Sequence, residues 1–165
     1  VDNFDNLNKL VNSLNQLATD TKKPIIFSTH PRTKNMLKKH KLKVRDGVKL
    51  CKPFGFFDYI SLQKNSKAVL SDSGTIFEES SILDFPALCI RETHERPEAM
   101  EECPVIMSGL EYKRIRQSLK LLENRKNASI RVVDDYSPDN VSDKVVRIIH
   151  SYVDHIKRFV WHEKI

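Results

Sequence analysis

The chain has 165 residues, enough for one compact unit with a real core, and its 39% hydrophobic and 30% charged content, four Gly and seven Pro exclude disorder or a collagen-like structure. The formal charge of +6 is uneven: residues 1–70 carry 14 Lys and Arg against 5 acids, residues 71–103 carry 2 against 9, and residues 104–165 carry 12 against 8. The lysines at 34, 38, 39, 41 and 43 have no interleaved aromatics and read as a solvated helix face, so the charge does not point to nucleic acid.

In chain order, Phe4, Leu7, Leu10, Val11, Leu14 and Leu17 set a helical period over 4–20. Lys23-Pro24 ends it, and PIIFST follows as a strand expected to be buried on both faces. A helix near 33–41 follows His30-Pro31-Arg32, then a strand VKLC at 48–51, the aromatic loop KPFGFFDY and a helix of about 59–66. Strand AVLSD, helix TIFEESSIL, strand PALCIR, a helix start at ERPEAMEE and strand PVIM continue the alternation. A helix over 111–124, a strand RVVDD and a last helix from about Pro138 to Trp161 complete it. Parallel strands need crossover connections, so the expected class is α/β, an open parallel sheet with helices on both faces and ligands at the carboxyl edge of the strands.

No apolar run approaches the roughly 18 to 20 residues needed to span a bilayer, and VDNFDNLNKL has no signal-peptide pattern. Cys51, Cys89 and Cys103 are odd in number and far apart, and are expected to be reduced and buried in a cytoplasmic protein. The six histidines show no HxxxH or HExxH spacing, so no metal is expected, and the absence of GxGxxG, GxxxxGK[ST] and GxSxG removes support for dehydrogenase, P-loop and hydrolase readings. The chain opens at Val1 on a helical pattern with no strand before it, as a piece of a longer protein would.

Four segments could carry chemistry. In SDSGTIFEES an apolar strand runs through Ser71-Asp72-Ser73-Gly74 straight into a helix, where small residues and the N–H groups of a helix start favour phosphate. Glu79 lies one turn after Thr75 on the same face, placed for a ribose diol, and Glu78 points about 100° away. The same residues also suit an ordinary capped helix with acids in its first turns. Arg96, in RETHERPE at the end of PALCIR, stands where a guanidinium can meet sugar hydroxyls or phosphate, or can form exposed ion pairs worth little. Phe54, Phe56, Phe57 and Tyr59 supply rings of which one could cover a planar base, with at least two expected as core aromatics under the loop. His30, alone at a strand end, reads as structural more readily than functional.

Joined, SDSGTIFEESSILDFPALCIRETHERPEAMEE resembles the signature of the UDP-N-acetylglucosamine 2-epimerase family, approximately DSGG, two residues, EE, then a strand and TERPE, and the likeness runs from PIIFSTHPRT to the final helix. The resemblance implies that residues 1–165 are the C-terminal UDP-binding domain of a two-domain, Rossmann-like GT-B-type fold, with the catalytic N-terminal half absent. It implies that Ser73, Gly74 and Thr75 meet the diphosphate, Glu79 the ribose hydroxyls, Arg96 the sugar side, Tyr59 the uracil and Phe54 the base. The implied reaction is inversion at C2 of a UDP-2-acetamido sugar by elimination and re-addition of UDP. Its acid and base carboxylates lie in the other domain and its histidine in an HREEN-like motif before Val1, so the chain alone is expected to bind UDP or its sugar without turnover. No cofactor is implied; a homodimer, cytoplasmic location and a role in surface polysaccharide synthesis are.

Two departures matter: Thr75 stands at the second Gly of DSGG, and His94 at the Thr before ERPE. With THPRT and KPFGFFDY they resemble the branch that forms UDP-N-acetyl-L-fucosamine from a 6-deoxy-L-talo precursor, with UDP-GlcNAc/UDP-ManNAc epimerisation the close alternative. A GT-B glycosyltransferase with the same donor-binding domain is the rival of another class. A stand-alone UDP-binding module is a further one.

Overall fold

The computed structural model describes residues 3–93, 95–123 and 131–163. His94 and the last residue of the helix expected over 111–124 lie outside the described residues. The chain divides into two units, Val1–Val133 and Asp134–Ile165, rather than the one compact unit expected from its length.

The first unit alternates helices and strands: α1 Phe4–Thr21, β1 Ile25–Ser28, α2 Pro31–Lys39, β2 Val48–Cys51, α3 Phe56–Asn65, β3 Val69–Ser71, α4 Ile76–Leu83, β4 Ala87–Cys89, α5 Ala99–Glu102, β5 Val105–Met107 and α6 Tyr112–Glu123. Local chemistry sets the ends. The Asn3 side chain accepts from the Asn6 N–H at 2.8 Å to start α1, and Lys22, at φ 52°, ends it with its N–H on the Ala18 carbonyl. His30 caps α2, its Nδ1 accepting from the Arg32 N–H at 3.3 Å with Pro31 in the first turn, which gives this histidine the structural role favoured for it. Asp84, at φ 52°, closes α4, and the Ser80 hydroxyl donates to the Phe85 carbonyl at 2.5 Å across that turn.

All strand pairs are parallel. β1 pairs with β2 from Ile25↔Val48 to Ser28↔Cys51; β3, β4 and β5 form a second ladder through Val69↔Ala87 and Ala87↔Val105. The two ladders share a core: Leu10, Leu14 and Ala18 of α1 pack with Val48, Ile90 and Leu110, joined by Ile25, Phe27 and Leu70. Leu88 packs with Leu17 and Ile115 on the side of α1 and α6. Strand alternation then turns Ala87 and Cys89 to the opposite face, where α4 and α5 lie. β4 is therefore the strand buried on both faces. The prediction of that environment for PIIFST does not hold, because Ile26 is 48% exposed. Cys89 and Cys103 are buried as expected, whereas Cys51, at the end of β2, is only partly so. The segment expected as strand RVVDD forms no strand: its first residues are irregular and Asp134–Tyr136 is a 3-10 turn. Its Val133 N–H is held by the Ser81 hydroxyl at 3.0 Å, so a side chain of α4 takes the backbone donor that a ladder would have used.

The second unit consists of that turn and α7, Val141–Phe159, whose Val141, Val145, Ile148, Ile149, Tyr152 and Phe159 make an apolar stripe with none of the helix buried. No helix among the described residues is long and apolar enough to cross a membrane, and they contain no group of three His, Cys, Asp or Glu able to hold a metal.

Candidate functional site

The register of the second ladder aligns Ser71 with Cys89 and Cys89 with Met107, so the turns after β3, β4 and β5 leave the same carboxyl edge. The first turn is Asp72 to Thr75, the second runs from Ile90 through Arg96, and the third contains Gly109 at φ 65°, a left-handed conformation that glycine adopts without strain. A cavity of about 170 Å³ opens there, lined by Asn6, Asp72, Ile90, Arg91, Glu92, Thr93 and Leu110.

The strand–turn–helix folds on its own side chains. The Ser71 hydroxyl accepts from the Ser73 N–H at 3.1 Å, and the Ser73 hydroxyl accepts from the Thr75 N–H at 3.3 Å. Two N–H groups expected to be open to phosphate are thus held within the turn. Thr75, the residue before α4, makes no cap hydrogen bond to that helix. Its hydroxyl instead lies 2.9 Å from that of Ser73 and donates to Glu79 Oε1 at 2.6 Å. The Ser73 hydroxyl thus caps a backbone N–H of the turn, while the Thr75 hydroxyl fixes a carboxylate one helical turn away.

Glu79 is held a second time, by Gln63 of α3, whose Nε2 donates to Oε2 at 2.5 Å. Gln63 is 2% exposed, and its Oε1 is buried without a hydrogen-bond partner. One turn earlier on α3, Tyr59 has its hydroxyl pushed above the ordinary tyrosine range, first by burial, then by the negative charge of Glu79 and, more weakly, Asp72, with a hydrogen bond from Gln63 opposing.

Glu78, set aside in the sequence as pointing away, holds Arg96: Nε donates to Oε1 at 2.7 Å. The side chains are 28% and 30% exposed, so this is a partly buried, charge-assisted contact rather than an exposed ion pair. A longer contact of 3.8 Å joins Arg96 Nη1 to Glu95. The Arg96 guanidinium lies over the turn, with Nη1 3.6 Å from where a Cβ at Gly74 would stand, and Arg91 Nη1 lies 3.8 Å from the same point. Two cationic groups therefore converge on Gly74.

The aromatic loop departs from expectation. Phe56 and Phe57 are 71% and 85% exposed and meet edge-to-face at 5.6 Å, while Phe54 and Tyr59 are half-buried, so none of the four is a core aromatic. The reason is that α3 begins at Phe56: helical spacing turns Phe56 and Phe57 outward while Tyr59 and Gln63, four apart, share the inner face. Among the predicted site residues, Ser73, Gly74, Thr75, Glu79, Arg96 and Tyr59 belong to one neighbourhood; Phe54 is half-buried in the loop before α3. Sequence reasoning missed Gln63 and Arg91. The four-residue spacing from Tyr59 was the available signal for the first, and the position just after β4 for the second.

The chain is similar to known proteins in sequence and in fold. Residues 1–150 match the family model described as UDP-N-acetylglucosamine 2-epimerase. A curated UDP-N-acetylglucosamine 2-epimerase of Methanocaldococcus jannaschii is 31% identical over 153 residues, 90% of this chain and 41% of that protein, and one of Methanococcus maripaludis is 34% identical over 131 residues, 76% of this chain and 36% of that protein. Among solved structures, the UDP-N-acetylglucosamine 2-epimerase of Rickettsia bellii superposes with a TM-score of 0.79 at 45% identity, covering 96% of this chain and 44% of that one. The M. jannaschii enzyme in complex with UDP-GlcNAc and UDP superposes with a TM-score of 0.77 at 30% identity, covering 92% of this chain and 42% of that one. The chain spans about two fifths of the length of these relatives.

Proposed function

Because this chain belongs to the UDP-N-acetylglucosamine 2-epimerase family, we propose that residues 1–165 form the C-terminal, UDP-binding domain of a UDP-N-acetylhexosamine 2-epimerase. The observation that carries this reading is the convergence on one strand edge of a small-residue turn, two guanidinium groups and a carboxylate held at both oxygens. The diphosphate lies at Ser73, Gly74 and Thr75, with charge supplied by Arg91 and by Arg96, which also faces the sugar side. Glu79 accepts the ribose hydroxyls, Tyr59 lies against the uracil, and Phe54 reaches the base from its loop. The cavity of about 170 Å³ takes Asp72 and Arg91 into its lining but none of Ser73, Gly74, Thr75, Glu79, Tyr59 and Arg96, which lie outside it. One wall of a cleft, closed by a second domain, has this character.

The whole enzyme inverts C2 of a UDP-2-acetamido sugar, either the UDP-GlcNAc/UDP-ManNAc pair or the 6-deoxy-L-talo to L-fuco pair. UDP is eliminated across C1 and C2 and re-added to the opposite face. Removing the C2 proton needs carboxylates placed by the other domain, and departing UDP needs stabilisation of its diphosphate charge, the contribution of this one. The chain alone therefore binds UDP without turnover, and the full-length protein acts as a cytoplasmic homodimer in surface polysaccharide synthesis.

Incubating a full-length protein carrying this domain with its UDP-sugar in deuterium oxide tests the reaction. Deuterium at C2 of the product, read by NMR, is the expected result; full retention of the original hydrogen excludes the elimination route.

A further inference from the structure

We propose that Gln63 is the positioning residue that sets the Glu79 carboxylate to receive both hydroxyls of a ribose diol, an inference that deepens the proposed function and rests on its assignment of Glu79. A carboxylate has about four lone-pair sites, two on each oxygen. Thr75 takes one on Oε1 at 2.6 Å and Gln63 takes one on Oε2 at 2.5 Å. Each oxygen keeps one site, so the carboxylate stands as a two-pronged acceptor, the complement of a vicinal diol with its two O–H donors.

The two holders differ in kind. Thr75 and Glu79 lie one turn apart at the start of α4, and their bond follows from helical spacing. Gln63 comes from α3, sixteen residues upstream, and fixes Glu79 against a second element. With one holder the carboxylate could still swing about its side-chain torsions. With two its plane is set.

A packing role alone explains Gln63 poorly. It is the one residue of α3 that is fully buried, yet its Oε1 has no hydrogen-bond partner, a cost that Leu or Met of similar size would avoid. What the amide supplies that those residues cannot is the donor on Glu79, together with its hydrogen bond to Tyr59. Gln63 also stands one turn from Tyr59, so the same helix face presents the ring assigned to the base and the donor that orients the ribose acceptor.

Calorimetric titration of this chain with UDP and with 2′,3′-dideoxy-UDP tests the inference, since the second ligand lacks both hydroxyls and keeps the base and diphosphate. Wild type should prefer UDP by about 10- to 100-fold, the worth of hydrogen bonds to a charged group. Gln63→Met, and Gln63→Leu as a second variant, should lower that preference by about tenfold, UDP losing about tenfold more than the dideoxy ligand, which depends on Gln63 only through the base contact made by its partner Tyr59. Combining Gln63→Met with Glu79→Ala should cost no more than Glu79→Ala alone, because the interaction is shared. Equal losses for both ligands would show a structural role and overturn the proposal, as would unchanged UDP affinity in both variants. A wild type that binds the two ligands equally would overturn the ribose assignment itself, an outcome separate from the other two.

Discussion

Glu78 and Glu79 are neighbours with different work. Helical geometry turns them about 100° apart, so Glu78 reaches Arg96 across the strand edge while Glu79 faces Thr75 and Gln63. Tyr59 reports on the second of these sites. Its neutral phenol is favoured by burial and by the Glu79 charge, so it ionises above the usual value of 10. A raised folded-state pKa contributes stability that is fully present below pH 10 and is lost as pH rises through the folded value. In an absorbance titration at 295 nm, Glu79→Gln should move one tyrosine transition downward by removing the negative charge that acts on it most strongly; superposable titrations would show that Glu79 does not act on Tyr59. Thr75 and Glu79 could be joined from the sequence because their spacing along one element brings them together. Gln63 was missed because its partner lies on another helix, and its four-residue spacing from Tyr59 does not by itself name that partner. Arg91 was hidden by the more familiar pattern around Arg96.

At the scale of elements, apolar period and turn chemistry located each described helix and five of the expected strands, because α1 carries its stripe from Leu7 to Ala18 and ends on a left-handed residue before Pro24. The failures have physical causes. RVVDD has strand-forming composition, but Ser81 takes the Val133 N–H. The aromatic loop was expected to cover a core, but helix α3 starts inside it and rotates two rings outward. The junction of α1 with the turn entering β2 depends on Gly47, where a Cβ would come within 2.8 Å of the Ala18 Cβ. Gly47→Ala should therefore lower the urea midpoint, with a loss of about 1–3 kcal/mol from overpacking. Gly55→Ala is the control. Nothing stands within 4 Å of its added Cβ, and the lost cap preference opposes the lowered entropy of the unfolded chain, so its effect should stay within about 1 kcal/mol of zero. Equal losses at the two positions would remove the packing explanation.

At the scale of the molecule, the charge distribution makes sense only after the site is located. The acidic stretch from residue 71 to 103 contains Glu95 and Glu78, which pair with Arg91 and Arg96, and Glu79, fixed by Thr75 and Gln63. The family was legible from one joined segment because its spacing spans two elements at once, from Ser73 through Glu79 to Arg96. The division at Val133 was not, since no Gly-, Ser- or Pro-rich linker marks it. The chain spans about two fifths of the length of its relatives. The most direct test is calorimetry of UDP on this chain and on its Glu79→Ala variant. A site centred on Ser73, Gly74 and Glu79 predicts saturable binding by the chain and a loss of about 10- to 100-fold in the variant, the worth of the charged hydrogen bonds removed. Equal affinity in the two proteins would contradict it.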